Sequence, residues 1–264
     1  MDIFDNEINI IECFQDIADT TSKVLLIGNT SECKTLYSSI IKAKRWKNWR
    51  NSSGKADPPP DFYSDRYGYM MDVMRVDDHG YISPKGKTVN PTRKRESELT
   101  RELKEKGILD VFPHARLLMT VDTQLPTRED HNYVYYRDNF IRVVEAHKKK
   151  IPSYQSNHPS LKTVFFVFDE SSQYMQTNCR IERPEIGKIV QARPHFWWGD
   201  ESFITAFYNS EIDFVIWFTP YKHCQMYDSL GNKVDLPVAT IIDVKSFKID
   251  AIKYNADLME SVEI

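Results

Sequence analysis

The chain predicts an α/β fold, a mixed sheet flanked by helices, and three observations lead there. Apolar runs of strand length recur at Val24–Ile27, Val164–Phe168 and Phe214–Phe218. Between them lie segments with apolar residues at helical spacing, the first built on Ile3, Phe4, Ile8, Ile11, Phe14, Ile17 and Ala18. Strands and helices alternate along most of the chain, which favours one sheet covered by helices. With 41% hydrophobic and 12% aromatic residues over 264 positions, a full core is available. A single domain over residues 1–264 is expected, with a small helical addition at about residues 1–20.

The elements follow in order. After the first helix, Val24–Ile27 is a short strand, and Gly28-Asn-Thr-Ser31 leads into a helix from about Glu32 to Trp49. Asn51–Pro60, with Ser, Gly and three prolines, is a loop. Tyr67–Val76 reads as a strand, with Asp77–Gly80 as a tight turn and a return strand behind it. Asn90 caps the next helix, Pro91 fits its first turn, and Gly107 stops it. Leu99 and Leu103 are its strong apolar pair, so it lies on the surface. Arg116–Val121 is a strand, Asp130–Lys150 a helix, Thr163–Asp169 a buried strand and Glu201–Asn209 a short helix. Ile212–Thr219 and Val238–Phe247 are strands separated by the turn-like Asp228–Lys233, and a final helix is expected over Asp250–Ser261.

A formal charge of −3 gives no whole-molecule field toward nucleic acid or membrane. No window reaches the roughly 18 apolar residues of a membrane span, so no membrane partner is expected. Met1–Glu7 lacks the basic start and apolar run of a signal peptide. Cys13, Cys33, Cys179 and Cys224 have no paired-ligand spacing, which argues against a zinc site and fits reduced thiols. A cytoplasmic protein is expected. The seven histidines lack zinc-hydrolase spacing and no Gly-x-Ser-x-Gly elbow occurs, which disfavours zinc proteases and serine hydrolases.

The segment Asp57–Lys87 carries the sharpest signal. On a strand, side chains alternate faces, so Met70, Asp72, Met74 and Val76 share one. A carboxylate on a buried apolar face needs a cation, a metal or a proton. The pattern Pro60-Asp61, ten residues, Asp72-Val73-Met74 resembles the signature of the PD-(D/E)xK nuclease-like superfamily over about residues 31–122. The resemblance implies a helix before the two acids and another after them. It also implies Mg²⁺ (or Mn²⁺) held by Asp61 and Asp72, and a nuclease acting on DNA or RNA. The superfamily's lysine two residues past the second acid is replaced by Met74, which carries neither charge nor donor. In the hairpin reading, Lys85 faces Asp72 across the ladder and supplies the missing cation; the alternative is a plain cross-strand salt bridge.

A rival acid-x-lysine element stands at Asp243-Val244-Lys245, with Asp228 and Glu201 as further acids. A third reading is a degenerate P-loop NTPase, in which Gly28–Thr35 cradles phosphate and Asp169 and Glu170 hold metal and water; Cys33 occupies its second glycine. Lys42, Lys44, Arg45, Lys47 and Arg50, interleaved with Trp46 and Trp49, form the best nucleic-acid contact, or a helix anchored by its tryptophans. Pro194–Asp200 is an aromatic cluster, a ligand platform or core. A non-catalytic interaction protein on an enzyme-like sheet completes the alternatives, and it expects no convergent acid pair.

Overall fold

The computed structural model describes residues 7–20, 23–39, 49–52, 60–83, 85, 87–111, 130–179, 192–222, 226–227 and 233–262. Its centre is a seven-stranded sheet in the order β1 (Val24–Ile27), β13 (Ala239–Asp243), β10 (Phe214–Phe218), β7 (Lys162–Asp169), β4 (Tyr69–Val76), β3 (Phe62–Ser64), β2 (Arg50–Asn51). β4, β7 and β10 run parallel, whereas β13 runs against β10 and β1 runs with β13. β3 and β2 complete the other side as antiparallel neighbours. Val164–Phe168 and Phe214–Phe218 are buried throughout, because strands covered on both faces need apolar residues at every position.

Two helices cover one face. α1 (Glu7–Thr20) and α2 (Thr30–Tyr37) bring Ile10, Ile11, Phe14, Cys33 and Leu36 onto Met71, Val73, Val164, Phe166 and Phe168. The opposite face carries α5 (Tyr133–Lys148), α7 (Glu201–Ile204) and a small sheet in the order β14 (Met259–Ser261), β8 (Tyr174–Thr177), β9 (Ala192–Pro194). There Tyr136, Phe140, Trp197 and Phe203 pack on Met74, Val76, Phe165, Val167 and Trp217. The period of two in β4 thus divides its side chains between the two layers, as the sequence pattern requires.

Outside the layers lie α3 (Pro91–Glu105), α4 (Ile108–Val111), α6 (Ile151–Asn157) and two short ladders. The ladders pair β5 (Tyr81–Ile82) with β6 (Thr88–Val89) and β11 (Met226–Tyr227) with β12 (Lys233–Val234). The ends of α3 are those expected: Asn90 Oδ1 accepts from the Arg93 amide at 2.9 Å, Pro91 opens the helix, and Gly107 takes φ +69°. Thr92 is its buried residue, consistent with a surface helix. Cys13, Cys33 and Cys179 are free thiols. Among the described residues no helix is long and apolar enough to cross a membrane.

Three expectations need correction. The first helix is no addition, since Ile10, Ile11 and Phe14 belong to the main core. The terminal segment does not form a helix over Asp250–Ser261: Asn255 caps a single 3-10 turn at Ala256–Leu258, and β14 then finds a ladder partner in β8. β4 makes no hairpin with the segment after Gly80. The apolar β7 offers it an eight-residue parallel ladder, and β5 pairs with β6 instead. The strand expected over Arg116–Val121 and most of the loop Asn51–Pro60 lie outside the described residues.

Candidate active site

The β3–β4 connection is a tight turn. Gly68 takes φ +73°, a backbone region that suits glycine, and its amide donates to the Ser64 carbonyl at 2.9 Å. The turn fixes the register so that Phe62 faces Met71. One step further along the same register, Asp61 stands opposite Asp72 on the α5 side of the sheet, where facing Cβ atoms are about 5 Å apart. Pro60 has no amide to continue the ladder. In place of the next ladder bond, Asp61 Oδ2 accepts from the Val73 amide at 2.8 Å.

Asp72 is 3% exposed, so its apolar face is buried as the strand pattern requires. Its compensation comes from two later elements. His147 Nδ1, in the last turn of α5, lies 2.5 Å from Asp72 Oδ2, and the Tyr154 hydroxyl of α6 donates to the same oxygen at 3.2 Å. Burial, and then the charge of Asp72, push the Asp61 pKa up to about 7. Both effects favour the protonated form of Asp61 beside a buried Asp72 carboxylate. Burial and the same Asp72 charge also raise the Tyr154 phenol, which keeps it a donor.

Beyond Met71, β4 has no strand partner on its β3 side among the described residues. A cavity of about 510 Å³ runs along this edge and is lined by groups from both faces of the sheet, including Glu7, Met74, Arg75, Arg93, Arg142 and His147. Arg75 is clamped by Glu170 through two 2.9 Å contacts, and Arg93 pairs with Asp77 at 2.8 Å. Arg142 differs: its Nη2 donates to Asn139 Oδ1 at 2.5 Å, and among the described residues no carboxylate pairs with it. A cation of this kind beside a buried acid–histidine pair suits an anionic ligand.

No protein-family model, no curated protein and no solved structure matches this chain. The chemistry of the site therefore rests on its own atoms.

The other expected residues fall elsewhere. Lys85 is exposed beyond β5 and does not face Asp72, because the hairpin that would bring it there is not formed. Met74 is 3% exposed and lines the cavity. Asp243 and Lys245 do not converge. Asp243 Oδ1 accepts from the amides of Lys245 (3.1 Å) and Ser246 (3.2 Å), while Lys245 Nζ donates to the Ser210 carbonyl at 2.7 Å. Glu201 pairs with Lys253 at 3.5 Å, and Asp228 lies outside the described residues.

The phosphate-loop geometry is absent for a topological reason. β1 runs opposite to β7, so Gly28–Thr35 sits where β7 begins, as the 3.0 Å Lys162–Glu32 pair shows. Asp169 ends β7, roughly 23 Å away at strand rise. Its carboxylate is buried among Tyr136, Ser171 and Trp217, and the Cys33 thiol is buried beneath β1 at 3.6 Å from the Ile27 carbonyl.

Of the basic set, Lys42, Lys44, Arg45 and Lys47 lie outside the described residues. Arg50 stands over the Tyr63 ring at 5.7 Å. Trp49 is 5% exposed and stacks on Tyr69, so it anchors the core. The aromatic cluster is core as well: Trp197 is buried, and His195 binds the buried Asp200 at 2.8 Å.

Sequence reasoning missed His147, Tyr154 and Arg142. The signal for His147 was present, since it continues the Tyr136, Phe140, Val144 stripe that faces the sheet.

Proposed function

We propose that the protein is a metal-dependent phosphodiesterase of nucleic-acid backbone, with Asp61, Asp72 and His147 at its centre. The observation that carries this reading is the placement of Asp61 opposite the buried Asp72, itself held by His147 and Tyr154, beside a cavity lined by Arg142, which pairs with no carboxylate among the described residues. The Pro60-Asp61…Asp72 pattern supports it, as does the placement of α2 before the acids and α3 and α5 after them. The non-catalytic alternative expected no convergent acid pair, and this pair weighs against it.

Two facing carboxyls would supply the hard oxygen donors that Mg²⁺ or Mn²⁺ takes, with water and substrate oxygens for the remainder. Such an ion, when bound, lowers the pKa of water and neutralises charge on a phosphate. The chain's own groups do the rest. Asp72 holds the Nδ1 side of His147, which leaves Nε2 to accept or return a proton. Arg142 orients a phosphate through its guanidinium.

Titration of the protein with Mg²⁺ and Mn²⁺, against mixed single- and double-stranded nucleic acid, tests this. Metal-dependent thermal stabilisation and cleavage are expected, with cleavage reduced at least about 100-fold in Asp61→Asn and His147→Gln, the scale of losing general acid–base assistance. A wild-type protein silent with both metals, or an Asp61→Asn variant as active as wild type, overturns the proposal.

A further inference from the structure

The strand β4 ends in Asp77-Asp78-His79-Gly80, and this corner contains a second group of ligating side chains. Asp78, His79 and His131 each place one donor atom within 4.8 Å of the others. His79 Nε2 is 3.8 Å from Asp78 Oδ1, and His131 Nδ1 is 3.3 Å from the other oxygen, Oδ2, within hydrogen-bond reach. Ligand atoms about 2.0–2.2 Å from a tetrahedral ion lie roughly 3.3–3.6 Å from one another.

The two oxygens of Asp78 are unequal. Its side chain is fully buried, and Oδ2 accepts from the Ser172 amide and hydroxyl, each at 3.0 Å, and from the Tyr174 hydroxyl at 2.6 Å. Oδ1 is buried and has no hydrogen-bond partner among the described residues. A buried carboxylate oxygen without a donor is costly. Here it is aimed at His79, whose Nδ1 is likewise buried without a hydrogen bond but has Asp130 Oδ1 3.6 Å away. A carboxylate behind a histidine and hydroxyls behind a carboxylate are the supports that orient metal ligands.

We infer that Asp78, His79 and His131 form a binding site for a divalent transition-metal ion, with Asp130 supporting His79. Two imidazoles and one carboxylate suit Zn²⁺ or Co²⁺, whereas Mg²⁺ and Ca²⁺ prefer all-oxygen shells. Three protein ligands leave a position for water on the side where His79 is 22% exposed. The location is also that of a ligand site in open α/β sheets, outside the carboxyl ends of the parallel strands β4 and β7. It is distinct from the acid pair, since Asp78 lies six residues beyond Asp72, up to about 20 Å along the chain. The inference therefore stands apart from the proposed phosphodiesterase.

Untagged protein titrated with Co²⁺, followed by ligand-field absorption, and with Zn²⁺ by calorimetry, tests the site. With Mg²⁺ in excess to fill the acid pair, one equivalent is expected, with affinity reduced at least about 10-fold in His79→Ala and in His131→Ala. Glu105→Gln, exposed on α3 and outside both sites, is expected to leave the Co²⁺ spectrum unchanged. Asp78→Asn removes the buried charge and risks the fold, so the two histidine variants, checked by circular dichroism, decide the question. Wild-type protein that takes up no Co²⁺ or Zn²⁺, or histidine variants that bind both as wild type does, overturn the inference.

Discussion

Asp61 and Asp72 meet because a tight turn fixes the register of two strands, and the pair then alters the titration of its members. Asp61 is raised to about 7 in the fold, by burial first and the Asp72 charge second, against about 3.9 in an unfolded chain. Between those values the folded state holds a proton that the unfolded state has lost, so stability falls as pH rises from about 4 to about 7. Asp72→Asn removes the second cause, and its stability is expected to fall less steeply over this range. Denaturant midpoints measured at intervals across it check the prediction, and coincident slopes would show that the two carboxyls do not interact. At this scale the sequence was informative about one partner and silent on the other. Alternation along Tyr69–Val76 placed Asp72 on a buried face, but the partner it demanded is His147, 75 residues away. Lys85 was nearer in sequence and led the reading astray.

Helix α5 gathers three buried acids from different parts of the fold. Tyr133 donates to Asp200, Tyr136 to Asp169 at 2.5 Å, and His147 reaches Asp72. Each partner belongs to a different element, so the helix ties together the end of β7, the start of α7 and the edge strand β4. Tyr136→Phe leaves Asp169 with Ser171, Trp217 and the buried Lys222, and removes one charge-assisted bond. A loss of about 1.5–3 kcal/mol in unfolding free energy is expected, measurable by urea denaturation. Elements defined by their own ends were legible. Asn90 and Gly107 bounded α3, and Asn132 caps α5 close to the expected start. Elements decided by distant neighbours were not, because β8 drew the C-terminal segment into a strand and β7 drew β4 away from a hairpin.

Over the whole molecule, strand direction decides which distant residues can work together. The apolar runs announced the sheet, yet nothing in them recorded that β1 runs against β7, and that single reversal separates Gly28–Thr35 from Asp169. The same topology orders local stability. β7 is flanked by β4 and β10 and covered on both faces, so the amides of Phe165–Phe168 are expected to exchange with solvent last. Those of the short outer β2 should exchange early. Hydrogen-exchange mass spectrometry checks this order, and early exchange in β7 would contradict the packing.

The premature stop of the β3–β4 ladder bears finally on how the chain keeps to itself. Asp72–Val76 forms a strand edge without a strand neighbour among the described residues, and such edges recruit other chains into continuous sheets. Here the edge turns inward to a cavity, and its Val73 amide is already engaged by a side-chain oxygen. An incoming strand would have to dislodge an aspartate and bury arginines to gain its hydrogen bonds. The acid pair thus also acts as a guard against aggregation, set at the place where the sheet is least complete.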